Sequence, residues 1–213
     1  MAGVPALKPG ALVLPDARLA LSPQARLYVS RGGEKLEAAL DAFGFDPKGR
    51  VALDIGASTG GFSEVLIARG AVKVYAVDVG SGQLHAKLRV NPRVVTLEST
   101  DARTLDRSVI RDEVTAVVAD VSFISLTLAL PAGLRLAAPG AWLVVLVKPQ
   151  FEAGRAAVGK GGIVRERTER TKAVARVRTF IEGEGWTVVG EIASPILGGS
   201  GNEEFLIGAR HGA

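Results

Sequence analysis

The spacing of apolar residues changes several times along the chain, and each change marks a predicted element. Between residues 33 and 43, Leu36, Ala39, Leu40 and Phe43 recur at helical intervals, and Gly44 stands where such a helix would stop. The pattern then shortens into apolar runs. Residues 51–55, 72–77, 94–97, 115–119 and 141–147 read as strands, with helices over 62–69 and over the apolar stretch 124–138. Residues 165–182 carry Val174, Val177, Phe180 and Ile181 against a basic opposite side, the mark of an amphipathic helix. Two closing strands, 186–192 and 204–207, are joined across Gly198-Gly-Ser-Gly201. Strands that are apolar throughout and alternate with helices imply a parallel sheet covered on both faces. The expected fold is α/β, Rossmann-like and doubly wound, mostly parallel, with an antiparallel last strand at or near one edge.

Composition narrows this to one main domain. The 213 residues are 47% hydrophobic and 23% charged, enough apolar material for a sizeable core. Residues 1–30 hold Pro5, Pro9, Pro15 and Pro23 without periodicity and read as a leader or linker, which leaves 31–213 for the domain. No cysteine occurs, which excludes disulfides and thiolate metal sites and fits a reducing cytoplasm. Two histidines, His85 and His211, are too few for a histidine-built metal centre, so no metal is expected. The start lacks a signal-like pattern, and no run reaches the about 18 apolar residues of a membrane span, so a soluble protein is expected.

Charge matters through its distribution. The net +4 is small, yet between residues 148 and 178 nine basic side chains (Lys148, Arg155, Lys160, Arg165, Arg167, Arg170, Lys172, Arg176, Arg178) face only Glu152, Glu166 and Glu169. A polyanion partner is one reading of that stretch, and a solvated helix face is the other.

Candidate chemistry gathers where the predicted strands end. Asp54-Ile-Gly-Ala-Ser-Thr-Gly-Gly-Phe62 is a strand end, a glycine-rich turn and a helix start, and the next strand ends in Asp78, 17 residues past Gly61. Gly56, Gly60 and Gly61 open backbone to a ligand, and a carboxylate at position 78 suits the two hydroxyls of a ribose. The turn departs from the strict spacing of a pyrophosphate binder, and Asp54 beside it would repel phosphate while welcoming a cation. S-adenosylmethionine offers an ammonium, a sulfonium, a ribose for Asp78 and an adenine within reach of Asp101-Ala-Arg103. A tight turn beside a solvated aspartate is the plainer alternative. Asp120 and Lys148 end the fourth and fifth strands and so face the same crevice, either as reacting groups or as a structural ion pair.

Six segments together resemble one family. Tyr28-Val-Ser-Arg-Gly-Gly-Glu-Lys35, Asp54-Ile-Gly-Ala-Ser-Thr-Gly-Gly-Phe62, Ala119-Asp-Val-Ser-Phe-Ile-Ser125, Val147-Lys-Pro-Gln-Phe-Glu152, Gly161-Gly-Ile-Val164 and Gly201-Asn-Glu-Glu-Phe205 look like the TlyA family. Its members are ribosomal RNA 2′-O-methyltransferases, also called hemolysins, with a catalytic domain similar to the FtsJ type. The resemblance runs in order from about residue 26 to the C-terminus.

The resemblance implies a class I S-adenosylmethionine-dependent methyltransferase with a Lys-Asp-Lys-Glu catalytic set, which falls on Lys35, Asp120, Lys148 and Glu204, with Glu203 standing beside the last. It implies cofactor contacts from Asp54, Gly56, Ser58, Gly60, Gly61, Phe62, Asp78, Asp101, Ala102 and Asp120. Ribosomal RNA or a ribosomal subunit would be the partner, with cytidine the base. Family members usually begin with a small RNA-binding module, and only Gly3-Val-Pro-Ala-Leu-Lys-Pro-Gly10 resembles its tail, so residues 1–30 read as a remnant of it. Arg31, Lys160, Arg165 and Arg167 then become the expected RNA contacts, giving affinity through phosphates.

The chemistry agrees with this set. A ribose hydroxyl is a very weak acid, so methylating it calls for a base, alignment and exclusion of water. Lysine serves as a base when its ammonium form is destabilised by desolvation or by a second cation. Lys148 is the expected base, with Lys35 as that second cation or as a partner for the developing alkoxide. Other readings are a methyltransferase for another RNA or a small molecule, a membrane-acting hemolysin, and an RNA-binding module without methyl chemistry. His85, near Gln83, borders the adenosine pocket in one reading and is a solvated loop residue in the other. Ser122 and Ser125 have no histidine partner in a recognisable motif, which argues against a serine hydrolase.

Overall fold

The computed structural model describes residues 28–212; the reading of residues 1–27 as part of a leader lies outside them. Seven helices and seven strands follow in the order α1 (Gly32–Phe43), β1 (Val51–Ile55), α2 (Gly61–Ala68), β2 (Lys73–Val77), α3 (Ala86–Arg89), β3 (Val94–Leu97), β4 (Val114–Ala119), α4 (Leu126–Ala129), α5 (Pro131–Leu134), β5 (Ala137–Val147), α6 (Pro149–Glu152), α7 (Arg167–Gly183), β6 (Trp186–Ala193) and β7 (Phe205–His211).

The strands form one sheet in the order β3-β2-β1-β4-β5-β7-β6. The first five run parallel, and β7 is antiparallel to both β5 and β6, so it sits one strand in from the edge. Strand direction and chain order together put the reversal of winding between β1 and β4, the place where open α/β sheets leave a crevice.

Side-chain alternation explains why the strands look apolar throughout. In β5, Leu143, Val145 and Val147 join one buried cluster while Trp142, Val144 and Leu146 join the other, and β4 divides in the same way. One cluster lies beneath α4, α5 and α7, and the other beneath α1, α2 and α3. Each fully buried Leu or Val contributes about 1.5–3 kcal/mol of transfer free energy, so both faces are needed to hold the sheet. Helix α1 stops where Gly44 turns left-handed, at φ 64°, and its amide caps Leu40.

One expectation fails and one boundary shifts. The apolar stretch 124–138 is not one helix: Pro131 ends the first turn and starts a second, and Ala137–Ala138 already belong to β5. Pro139 and Gly140 then bulge outward, which shifts the register between β4 and β5. Helix α7 begins at Arg167 rather than Arg165, and its basic side is partly engaged. Arg170 donates to the carbonyls of Val164 and Arg165, and Arg176 to that of Glu152.

Candidate active site

The turn after β1 is built by close approach. A side chain at Gly56 would meet the Asp120 carbonyl oxygen at 2.6 Å, and one at Gly61 would meet Ser30 Oγ at 2.1 Å. The missing side chains thus admit the protein's own segments, 120–121 and 28–32, before any ligand. The second segment is anchored by carboxylates. Glu64 accepts from the Val29 amide at 2.5 Å, and Glu37 accepts from the Tyr28 hydroxyl.

Asp78 follows β2 with its carboxylate held open by backbone. The amides of Ser58 and Gly80 donate to its two oxygens at 2.8 and 2.7 Å, and Ser58 adopts φ 47° to do so. It lines a cavity of about 560 Å³ together with Val79, Thr100, Asp101, Ala102, Val121 and Ile124. The Arg103 guanidinium clasps Asp101 and holds its carboxyl down to about 2. His85 is exposed and accepts from the Lys87 amide at the start of α3.

A second cavity, of about 410 Å³, shares Gly56, Ser58, Asp120 and Ser122 with the first and continues to Arg31, Lys35, Phe62 and Lys148. Two lysine–carboxylate pairs stand here. Lys35 in the first turn of α1 donates to Glu204 just ahead of β7 at 2.5 Å, and both are buried. Lys148, at the end of β5, lies 2.7 Å from Asp120 Oδ1, yet its aligned hydrogen bond goes to Ser122 Oγ, also at 2.7 Å. Asp120 Oδ1 therefore feels a charge at close range without a well-directed donor.

The structure places Glu203 elsewhere: it pairs with Arg170 at 3.2 Å. Asp54 lies beneath the glycine turn rather than on a cavity wall. It is fully buried, accepts from Ser63 Oγ at 2.6 Å, and its Oδ1 has no partner. Burial, aided by Asp120 and Asp78, pushes its carboxyl up to about 7 against the hydrogen bond from Ser63. Among the expected RNA contacts, Arg31 lines the second cavity, while Lys160, Arg165 and Arg167 are exposed on and after the loop that precedes α7. Ser122 was missed as a site residue although it stands two positions past Asp120, on a strand end already singled out. Thr100 and Ile124 carried no such signal.

With the geometry in place, the relatives are informative. The family model described as FtsJ-like methyltransferase matches residues 28–211. The chain belongs to the FtsJ-like methyltransferases. Within that family it is 48% identical over 209 residues to the 16S/23S rRNA (cytidine-2′-O)-methyltransferase TlyA of Mycobacterium tuberculosis, covering 98% of this chain and 78% of that protein. It is also 46% identical over 180 residues to hemolysin A of Brachyspira hyodysenteriae, covering 84% of this chain and 75% of the relative. A Lactococcus lactis protein described as a hemolysin superposes with a TM-score of 0.84 at 42% identity, over 87% of this chain and 89% of that one. This FtsJ-like chain therefore shares its family with proteins of both descriptions, and the TlyA resemblance stands.

Proposed function

We propose that this protein transfers a methyl group from S-adenosylmethionine to a ribose 2′-hydroxyl of ribosomal RNA, cytidine being the base, with Lys148 as general base. The observation that carries the reading is the meeting of two lysines, each paired with a carboxylate, on the wall of one cavity that opens onto a nucleoside-sized one. The activity named for the M. tuberculosis relative supports the same substrate.

The chain's own groups fit the cofactor. Asp78 presents a carboxylate at the mouth of a cavity walled by Val79, Val121 and Ile124, suited to a ribose with its base. The orphaned Asp54 Oδ1 leaves an unused acceptor beneath the turn, and a cationic ligand there favours ionisation of a carboxyl that burial otherwise holds up to about 7. When bound, S-adenosylmethionine supplies an electrophilic methyl on a sulfonium, whose departure as a neutral thioether needs no acid.

The remaining work falls to the residues. Lys148 Nζ, aimed by Asp120 and Ser122, must first release a proton to solvent; as the neutral amine it then takes the proton of the 2′-hydroxyl as that oxygen attacks, with the Lys35 cation nearby disfavouring a second ammonium. Lys35 stays charged against Glu204 and offers its cation to the developing alkoxide. Arg31, Lys160, Arg165 and Arg167 hold phosphates, and such a task belongs in the cytoplasm with the ribosome.

The test is transfer of labelled methyl to unmodified ribosomal subunits and, separately, to their naked RNA, followed by digestion to nucleosides. Label is expected on a 2′-oxygen, with Lys148→Ala reducing the rate by about 10²–10⁴-fold, the usual contribution of a positioned base. Near-wild-type transfer by Lys148→Ala would refute the base. Label found only elsewhere would refute the substrate.

A further inference from the structure

Glu152 is buried, with 4% of its surface exposed, and no lysine, arginine or histidine pairs with its carboxylate among the described residues. Its oxygens are nevertheless fully engaged. Oε2 accepts from Ser125 Oγ at 2.6 Å, and Oε1 accepts from the Leu126 amide at 2.8 Å. Burying a carboxylate is costly unless hydrogen bonds compensate it, so two short bonds at this one point mark a joint under constraint.

What the joint connects is informative. Ser125 and Leu126 end the segment that begins with Asp120 and Ser122, while Glu152 ends the short helix α6 that begins just after Lys148. The two segments touch at three successive levels. Lys148 meets Asp120 and Ser122, Phe151 packs against Phe123 with ring centroids 5.2 Å apart, and Glu152 closes the far end. The middle contact is a weak restraint, because Phe123 is 92% exposed and strained at φ 66°. The buried end is the firm one. Within α6, the Phe151 amide bonds the Lys148 carbonyl and the Ala153 amide bonds that of Pro149, so a displacement at Glu152 is passed to Lys148 through a stiff turn.

We propose that Glu152 is a positioning residue for methyl transfer, fixing the segment after β4 against the segment after β5 so that Lys148 and Asp120 meet in register. This rests on the reading of Lys148 as the base. A merely structural acid would, when removed, weaken folding and every binding step together; a positioning residue costs turnover first.

The experiment compares wild type with Glu152→Ala, Glu152→Gln and Ser125→Ala. It measures kcat and KM on unmodified ribosomal subunits, the cofactor Kd by calorimetry, the melting temperature, and the rate at which an amine-reactive ester acylates Lys148, read by mass spectrometry. Glu152→Ala is expected to lower kcat by about 10²-fold, the cost of a misplacement near 1 Å, with cofactor Kd and subunit KM within about threefold. Glu152→Gln should return kcat to within about fivefold, since its amide still accepts from Leu126 and donates to Ser125 Oγ. Acylation of Lys148 should quicken by about threefold or more in Glu152→Ala, because the flexible amine leaves Asp120 and Ser122.

Unchanged kcat in Glu152→Ala, a loss that Glu152→Gln does not relieve, or a loss matched by equal weakening of cofactor binding would overturn the proposal. If Glu152→Ala does not fold, Ser125→Ala decides. It removes one of the two bonds, together with the cap of α4, and should lower kcat by about three- to tenfold with cofactor Kd within about threefold even where the melting temperature falls by a few degrees, and unaltered kcat overturns the idea. A wild-type protein that methylates no 2′-oxygen refutes the proposed function alone, for the acylation of Lys148 still tests Glu152.

Discussion

The two lysines share a cavity wall, and their pairs differ in the exposure of the acid and in how the amine is bonded. Lys35 and Glu204 are 9% and 3% exposed at their side chains and are joined by a short, aligned hydrogen bond across 169 positions of chain. Lys148 and Asp120 are 12% and 23% exposed, and the amine spends its aligned bond on a serine instead. Charges sealed from water hold each other in one geometry, and separating them is expensive. A lysine that reaches both a carboxylate and a hydroxyl at the cavity wall can change partners. On the proposed reading, the closed pair keeps a charge in place and the open pair moves a proton.

That contrast can be broken at its strongest point. Lys35→Met or Glu204→Leu alone should cost about 3–5 kcal/mol in urea unfolding, because each leaves an uncompensated buried charge, whereas the double substitution should recover most of the loss. Asp120→Asn, at the open pair, should cost about 1 kcal/mol or less. The double variant should remain inactive despite its restored stability. Equal destabilisation at the two pairs would erase the distinction, and an active double variant would deprive Lys35 of any part in the reaction.

Asp54 sharpens the comparison as a buried carboxylate with no lysine at all. Its raised pKa, about 7, means that the folded chain holds the proton more tightly than the unfolded one. Its contribution to stability is complete below the ordinary aspartate value and drains away as pH rises through about 7. Asp54→Asn mimics the protonated form, so in cofactor-free protein it should gain stability relative to wild type between pH 5 and pH 8. Urea unfolding at the two pH values checks this. Parallel behaviour would mean that Asp54 is charged throughout, as a partnered acid would be.

These differences among acids show what could be read before the fold was known. Strands buried on both faces leave apolar runs that no helix imitates at that length, so the sheet was legible from 51–55 or 141–147. Asp78, Asp120 and Lys148 stood out because a polar residue ending such a run must face the crevice. The helix expected over 124–138 was illegible in its true form because composition there is apolar either way, and only Pro131 and Gly140 decide where the chain turns. Glu204 could not be told from Glu203 by sequence pattern, since its partner lies at the far end of the chain. Glu152 looked like an ordinary acid in a basic stretch. Its role depends on a contact with Ser125 that no local periodicity encodes.

The closed pair has one more connection that the open pair lacks. Asn202, two residues before Glu204, is 1% exposed; its Oδ1 accepts from the Val164 amide and its Nδ2 donates to the Gly162 carbonyl, each at 2.9 Å. The loop that carries Lys160 and leads to Arg165 is thereby pinned to the residues that present Glu204. Asn202→Ala removes both bonds and should cost about 1–2 kcal/mol in urea unfolding, less than breaking the pair itself. Because the pin acts on the loop, affinity for naked ribosomal RNA should fall while the cofactor Kd stays unchanged. A loss of cofactor binding instead would mean that the loop supports the nucleotide cavity, and that the closed pair's connection serves the cofactor rather than the RNA.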